Sequence, residues 1–428
     1  MQNIETGVIY ACKRIIKAQI KKKERVIKEI NVLKQTDHPN IIKLFDIFED
    51  TVSIYLVMEE MLGGELFERL AKKAKEHVVY TEKQAAIIFK QILEAVNYLH
   101  VQGVCHRDIK PENILFSTVE DDSTIKIIDF GLSSAFSEDS QMMTEAVGTT
   151  FYMAPEVIKG NYNEKCDVWS CGIILYIMLC GRPPFFSQNE EELKNKICSM
   201  KYSLDLKNVS DDAKELLRKM LVGEKERPSA SEILYNKWIA ELAPNSTNAA
   251  LSINWEHMQQ YSKLNLVQKC VINFTSFRLT DNETDEFVKM FKSLDLNNDG
   301  VLSLEELTQG AKECSFLGSR VSGEDLVSLF NEMDVDKNGM INITEFISAL
   351  VDYKNLLKKE ALIECFKNYD IDGNDKISFE EFIEMIKPTD EREMQNLKEL
   401  YQKFDTNGDG EIDFNEFVQG LMSEDTLI

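Results

Sequence analysis

Four twelve-residue stretches of this chain carry oxygen donors at the intervals a hard cation requires: DLNNDGVLSLEE from Asp295, DVDKNGMINITE from Asp334, DIDGNDKISFEE from Asp370 and DTNGDGEIDFNE from Asp405. In each, positions 1, 3, 5 and 9 bear a side-chain oxygen, position 7 offers a backbone carbonyl and position 12 is glutamate, a donor set suited to calcium. The expected ligands are Asp295, Asn297, Asp299, Val301, Ser303 and Glu306; Asp334, Asp336, Asn338, Met340, Asn342 and Glu345; Asp370, Asp372, Asn374, Lys376, Ser378 and Glu381; and Asp405, Asn407, Asp409, Glu411, Asp413 and Glu416. The starts lie 39, 36 and 35 residues apart, a regularity that chance does not produce four times. Wrapping oxygens around one point demands a sharp bend at position 6, where Gly300, Gly339 and Gly410 supply a permissive backbone. The third loop has Asp375 there and its glycine, Gly373, off the expected place. Aspartate enters the left-handed region more readily than most residues, so this loop is expected to bind, but more weakly. The fourth loop adds a carboxylate, Asp413, which favours the ion.

A second chemistry lies between residues 101 and 156, where VCHRDIKPENILF, IKIIDFGLSS and GTTFYMAPE follow one another. Together they resemble the catalytic loop, metal-binding loop and activation-segment end of protein kinases. The chemistry implied is phosphoryl transfer, which asks of a protein an oriented hydroxyl, magnesium and fixed cations around the phosphate oxygens. By that resemblance Asp108 accepts or orients the hydroxyl proton, Asn113 and Asp129 hold magnesium, and Lys110 neutralises the transferred group, as in serine/threonine kinases. His106 is read as a packed structural histidine and Arg107 as an anchor for the activation segment. Asp167, in CDVWSCG, is expected to brace the catalytic loop, and Glu156 to pair with Arg227. Thr144 is followed by Glu145, a permanent acid that would make phosphorylation of the segment unnecessary.

The same resemblance places the nucleotide. YACK resembles the strand whose lysine, here Lys13, meets the ATP phosphates and a glutamate on the next helix; Glu29 is the candidate and Glu24 the runner-up. IYLVMEEMLGGELF looks like the hinge, with Met58 behind the adenine, backbone groups of Glu59 and Met61 as its partners, and Glu65 reaching the ribose or a basic substrate residue. Glu112 is a second candidate for a basic substrate residue. The glycine-rich phosphate cover of kinases is not seen ahead of Lys13; the expectation is that the chain starts within a longer parent or lacks that cover, in which case γ-phosphate positioning would suffer.

These side chains must be held by elements. Ahead of each cation loop runs an apolar set at i, i+3, i+4, i+7: Phe287, Met290, Phe291, Leu294; Leu326, Leu329, Phe330, Met333; Leu362, Cys365, Phe366, Tyr369; and Leu397, Leu400, Tyr401, Phe404. This is the period of amphipathic helices entering every loop at one phase. Helix, loop and helix four times over resembles calmodulin across residues 280–425, where calcium opens helix pairs onto a partner helix. In the interval AELAPNSTNAALSINWEHMQQYSKLNLVQKCVINFTSF, PNSTNAA has linker composition, while Met258, Tyr261, Leu264 and Leu266 suggest a helix with an apolar face. Lys263 or Lys269 could mimic a basic substrate, although a lone helix lysine is more often solvated.

The fold class expected is α+β: a bilobal protein kinase fold with an incomplete N-lobe, followed by an all-α calmodulin-like domain of four EF-hands. The boundaries are 1–240 for the kinase domain, 241–279 for the linker and autoinhibitory junction helix, and 280–428 for the calmodulin-like domain. This layout resembles the calcium-dependent protein kinases of plants and protists. The resemblance implies a calcium-activated serine/threonine kinase using ATP, Mg²⁺ and Ca²⁺, with protein substrates basic near the target residue and an intramolecular junction helix that restrains it at low calcium. A nucleotide-holding calcium sensor with little turnover is the alternative. Moving such a switch from 1:99 to 99:1 takes about 5.5 kcal/mol of differential binding, roughly 1.4 kcal/mol per ion over four loops.

Composition agrees. The net charge of −24 is −5 over residues 1–250 and −19 over 251–428, which excludes nucleic acid as a principal partner. The longest apolar run, VWSCGIILYIMLCG from Val168, is about 14 residues, too short to span a bilayer, and reads as a core helix. Nine scattered cysteines with no CxxC pair fit a reducing cytosol. A cytoplasmic monomer is expected; any membrane anchor would sit on a leader ahead of Met1.

Overall fold

The computed structural model describes all residues except 5–6, 21, 122, 137–142, 144, 146, 205–207, 245–254, 314–322, 353–355, 357–358, 387, 389–390 and 423–428. Thr144 and nearly all of the PNSTNAA linker therefore lie outside the described residues. The chain divides into two compact units, one of Met1–Asn3, Val8–Asn245 and Asp295–Gly300, the other of Ile4–Gly7, Ser246–Leu294 and Val301–Ile428.

The first unit begins with a small antiparallel sheet of β1 (Ala11–Ile16), β2 (Leu44–Glu49) and β3 (Ser53–Met58), ordered β1-β3-β2. In β1 the two-residue period of a strand turns Cys12 and Arg14 outward and shelters Ala11, Lys13 and Ile15, with Lys13 opposite Leu56. Asp50 closes the β2–β3 turn by accepting from the Val52 and Ser53 amides, both at 2.6 Å. Helix α1 (Lys23–Gln35) follows and buries Glu29 and Leu33. After the segment following β3 come α2 (Leu66–Lys75) and α3 (Glu82–Val101), the latter started by a reciprocal Thr81–Gln84 capping box.

Two short ladders then carry the chemistry: β4 (Val104–Cys105) pairs with β7 (Ser134–Ala135), and β5 (Ile114–Phe116) with β6 (Ile125–Ile127). Beyond α4 (Pro155–Lys159), helix α5 (Lys165–Cys180) is buried almost along its whole length and ends on Gly181 at φ 67°. It contains the apolar run from Val168, which is thus a core helix and no membrane span; among the described residues no helix is long and apolar enough to cross a bilayer. Helices α6 (Glu190–Ser199), α7 (Asp211–Met220), α8 (Ala230–Leu234) and α9 (Lys237–Leu242) complete the unit. Glu156 and Arg227 form the expected ion pair, Arg227 being 1% exposed, its fork also reaching the carbonyls of Lys165 and Val222 at 2.8 Å.

The second unit contains α10 (Trp255–Tyr261), α11 (Leu266–Phe277), α12 (Asp281–Leu294), α13 (Leu304–Glu313), α14 (Gly323–Met333), α15 (Ile343–Leu350), α16 (Lys359–Tyr369), α17 (Phe379–Ile386), α18 (Glu391–Phe404) and α19 (Phe414–Met422). Paired cation loops are stitched together by short strands: Leu302 and Ile341 exchange backbone bonds of 2.8 and 2.9 Å, and β8 (Lys376–Ile377) pairs with β9 (Ile412–Asp413). The apolar sets ahead of the loops all lie in or against one core. Met258 and Tyr261 of α10, Leu264 between the two helices, and Val267, Val271 and Ile272 of α11 belong to that same core. At about 1.5–3 kcal/mol per buried large apolar side chain, gripping these two helices is worth on the order of 10 kcal/mol before entropy is charged against it.

Candidate active site and calcium loops

Lys13 reaches inward from β1 and its Nζ lies 2.5 Å from Glu29 Oε1 on α1 and 3.5 Å from Asp129 Oδ1. Burial works to lower the pKa of this ammonium, yet the two carboxylates outweigh it and hold the group above its ordinary value. Glu29 is thus the partner and Glu24, exposed on the first turn of α1, is not. Asp129 takes a left-handed backbone at φ 65°, a strained conformation for a non-glycine residue, which aims its half-exposed carboxylate at Lys13.

Asp108 is 8% exposed and collects three neighbours. Lys110 Nζ donates to its Oδ2 at 2.6 Å, the Thr149 amide and hydroxyl each donate to its Oδ1 at 3.1 Å, and the Asn113 amide nitrogen donates to Oδ2 at 3.3 Å and to the Asp108 carbonyl at 2.9 Å. With its nitrogen so committed, Asn113 presents its carbonyl oxygen as a ligand atom. The Ile128 amide donates to the backbone carbonyl of Asn113 at 3.0 Å, linking this residue to the segment that carries Asp129. A carboxylate and an amide oxygen joined in this way fit magnesium, which takes hard oxygen donors.

The loop bearing Asp108 is braced from beneath. Asp167, 1% exposed on α5, accepts from the His106 and Arg107 amides at 2.8 Å and bonds His100 Nε2 at 3.0 Å. Burial pushes its carboxyl up, but His100 and the His106 amide outweigh this and keep its pKa lowered. His106 is fully buried, packs tilted against Phe130 with ring centroids 5.0 Å apart and bonds the Ile128 carbonyl, as a structural histidine should. Arg107 holds the Leu132 and Ser133 carbonyls and the Tyr162 hydroxyl. Tyr162 in turn donates to the Glu145 carbonyl at 2.7 Å, while the Glu145 carboxylate is held by Lys22 at 2.8 Å and Arg25 at 3.0 Å. Those cations lower the Glu145 pKa and tie the activation segment to the start of the helix that carries Glu29.

Met58 ends β3, and the Glu59 amide donates to the Lys43 carbonyl at 3.3 Å. Met61 and Glu65 follow, both half-buried, Glu65 standing just ahead of α2. Glu112 has one carboxylate oxygen buried without a hydrogen-bond partner among the described residues. Its charge, after burial itself, raises the pKa of Tyr152. Thr149, inside GTTFYMAPE, is a site residue that the motif could have flagged, whereas Lys22 and Arg25 carry no local signal.

Each cation loop is closed around its first and last carboxylates. Asp334 accepts from the Asn338 and Gly339 amides and Glu345 from those of Val335, Asp336 and Asn342; Asp370 and Glu381 repeat the pattern with Asn374, Asp375, Ile371, Asp372 and Ser378. In the fourth loop Asp405 takes the Gly408, Asp409 and Gly410 amides and Glu416 those of Asn407 and Asp413; in the first, Asp295 takes the Asp299 and Gly300 amides and Glu306 that of Ser303. Ligand oxygens of Asp334, Asp336 and Glu345, and of Asp370, Asp372 and Glu381, all lie within 4.8 Å of one another. Burial pushes the Glu345 carboxyl up to about 8, the cost of crowding carboxylates that a divalent ion would relieve. The donor set fits calcium.

Gly373 is not displaced: position 4 is left-handed in every loop, at Asn298 (φ 54°), Lys337 (φ 59°), Gly373 (φ 72°) and Gly408 (φ 73°). Asp375 at position 6 adopts φ 62°, so the third loop has the same backbone as the others. Lys269, entertained as a solvated or substrate-like cation, is instead 4% exposed and paired with Glu332, burial lowering its pKa; Lys263 is exposed between α10 and α11.

Residues 1–239 match the family model of the protein kinase domain, and residues 284–351, 324–387 and 359–422 match that of the EF-hand domain pair. Fold and site thus define a protein kinase joined to a calcium-binding helical region. Calcium-dependent protein kinase 4 of Plasmodium falciparum (isolate 3D7) is 40% identical over 380 residues, which is 83% of this chain and 70% of the relative. Calcium-dependent protein kinase 5 of Plasmodium berghei (strain Anka) is 38% identical, covering 84% of this chain and 64% of the relative, and calcium-dependent protein kinase 7 of Arabidopsis thaliana is 38% identical, covering 83% and 66%. The chain belongs to the calcium-dependent protein kinases, and ATP, Mg²⁺ and Ca²⁺ are its cofactors.

Proposed function

We propose that the chain transfers the γ-phosphate of ATP to serine or threonine hydroxyls of proteins that are basic near the target residue, and that calcium enables this through the junction helices α10 and α11. The observation that carries the reading is Lys110, bonded at once to Asp108 and Thr149, which sets a cation and a proton acceptor side by side. Bound ATP with magnesium supplies the phosphoryl group and spreads its charge. Asp108 orients the incoming hydroxyl and takes its proton, Lys110 neutralises the phosphoryl oxygens, Asn113 and Asp129 hold magnesium, and Lys13, steadied by Glu29, meets the nucleotide phosphates. The Glu145 ion pairs support a permanently negative activation segment that needs no phosphate. Burial of the α10 and α11 apolar faces in the EF-hand core supports a calcium-loaded region that seizes the junction. With Lys13, Glu29, Asp108, Asn113 and Asp129 in bonding register, a nucleotide-holding sensor without turnover is not favoured. The test is a calcium titration of phosphate transfer to a basic serine peptide, its threonine and tyrosine counterparts alongside. Activity that rises with calcium on serine and threonine supports the reading; calcium-insensitive or tyrosine-directed transfer overturns it.

The buried, unpartnered oxygen of Glu112 suits a guanidinium from the substrate. Glu112→Gln is expected to raise KM for an arginine-containing peptide roughly 10- to 100-fold, the loss of one charge-assisted hydrogen bond, with KM for ATP unchanged. An equal effect on a peptide without basic residues would refute this.

A further inference from the structure

Lys126 is a lysine in the middle of β6 and is 1% exposed. Its Nζ lies 3.1 Å from Glu59 Oε2 and donates to the Pro39 carbonyl at 3.1 Å. The other oxygen of Glu59, Oε1, accepts from the Lys43 amide at 2.7 Å. One carboxylate therefore joins three pieces of chain: the segment entering β2, the segment leaving β3, and β6. The turn that contains Pro39 is itself fastened to β6, since Asn40 Nδ2 donates to the Ile125 carbonyl at 2.9 Å and the Ile127 amide donates to the Asn40 carbonyl at 2.9 Å. Strand β6 runs directly into Ile128 and Asp129.

We propose that Lys126 is a positioning residue for the nucleotide, acting through Glu59. The proposal rests on the reading of Glu59 and Met61 as the backbone that meets adenine. At one end of the pair stands that backbone; at the other stands the strand that delivers Asp129. A buried lysine and a largely buried glutamate hold a fixed separation, because pulling either away leaves the other short of its counter-charge where little water reaches. The adenine end and the metal end of the ATP cleft are thereby kept in register, and misplacing one end by an ångström is enough to weaken ground-state nucleotide binding or transfer severely. An aliphatic residue at position 126 would fill the same space and satisfy the apolar pattern of the strand, so a lysine there answers to Glu59 and not to core packing.

The experiment uses the full chain at saturating calcium and magnesium, with KM for ATP, kcat and melting temperature measured for each variant. Lys126→Met leaves the Glu59 carboxylate facing an apolar side chain and is expected to raise KM for ATP about tenfold with kcat within roughly threefold. The double variant Glu59→Gln/Lys126→Met removes both charges and is expected to recover most of the affinity. Should Lys126→Met not be obtained folded, Glu59→Gln alone carries the same expectation, because an amide, with a single oxygen, cannot accept from both the Lys126 ammonium and the Lys43 amide. A KM for ATP unchanged in the single variants, or kcat and melting temperature falling with KM fixed, overturns the proposal. Met61→Pro, which removes a backbone donor, separates the premises: if it too leaves KM for ATP unchanged, the hinge reading fails, whereas if it alone raises KM, only the role of Lys126 fails.

Discussion

Asp108→Asn lowers kcat for phosphate transfer by about 10²- to 10⁴-fold, the range that a positioned general base contributes, while KM for ATP stays close to its original value. The asparagine retains the shape of the side chain and one oxygen to accept from the Thr149 amide and hydroxyl, which now meet Asp108 Oδ1. What it loses is the acceptor opposite Lys110 and the capacity to take a proton. Asp167 still braces the loop through the His106 and Arg107 amides, so the melting temperature should hardly move. Steady-state kinetics at saturating calcium measure the effect. A loss smaller than tenfold would remove Asp108 from the proton path and leave Lys110 and magnesium to carry the reaction.

Val271→Asp abolishes activation by calcium. Val271 is fully buried on α11, in the same core as Phe346 of α15, Phe366 of α16 and Phe382 of α17. A carboxylate there costs several kcal/mol unless it is neutralised, comparable with the roughly 5.5 kcal/mol that a decisive two-state switch requires. The EF-hand region then cannot close over the junction at any calcium concentration. The cation loops themselves, remote in sequence from position 271 and closed by their own carboxylates, continue to bind calcium. Comparing calcium-dependent transfer by the wild type, Val271→Leu and Val271→Asp decides the matter. Stimulation retained within twofold in Val271→Asp would show that the grip on α11 is not the route from ion to catalysis.

The two chemistries of this chain were open to sequence reading for different reasons. Cation loops announce themselves because all their ligands come from twelve consecutive residues, so spacing alone is geometry. The helices before them were equally legible: a 3.6-residue period places Leu326, Leu329, Phe330 and Met333 on one face wherever the helix goes, and all four are buried. In the third loop Gly373 looked displaced because glycine was sought only at position 6, whereas the backbone is left-handed at both positions 4 and 6. In the kinase region, the pairing of Lys13 with Glu29 and of Glu156 with Arg227 followed from resemblance to motifs, not from any local rule.

Sequence by itself picked out the groups proposed to act: the cation donors, Asp108 as proton acceptor, Asn113 and Asp129 for magnesium, and an apolar stripe on the junction. Only the tertiary structure decided what each group answers to. Lys269 and Lys126 look alike in the sequence, single lysines among apolar residues, yet one is closed off against Glu332 and the other spans from β6 to Glu59. Glu145 meets Lys22 and Arg25 from about 120 positions away. A charge buried by folding must find an opposite charge wherever the chain happens to return, and that return is a property of packing, which no spacing along the sequence encodes.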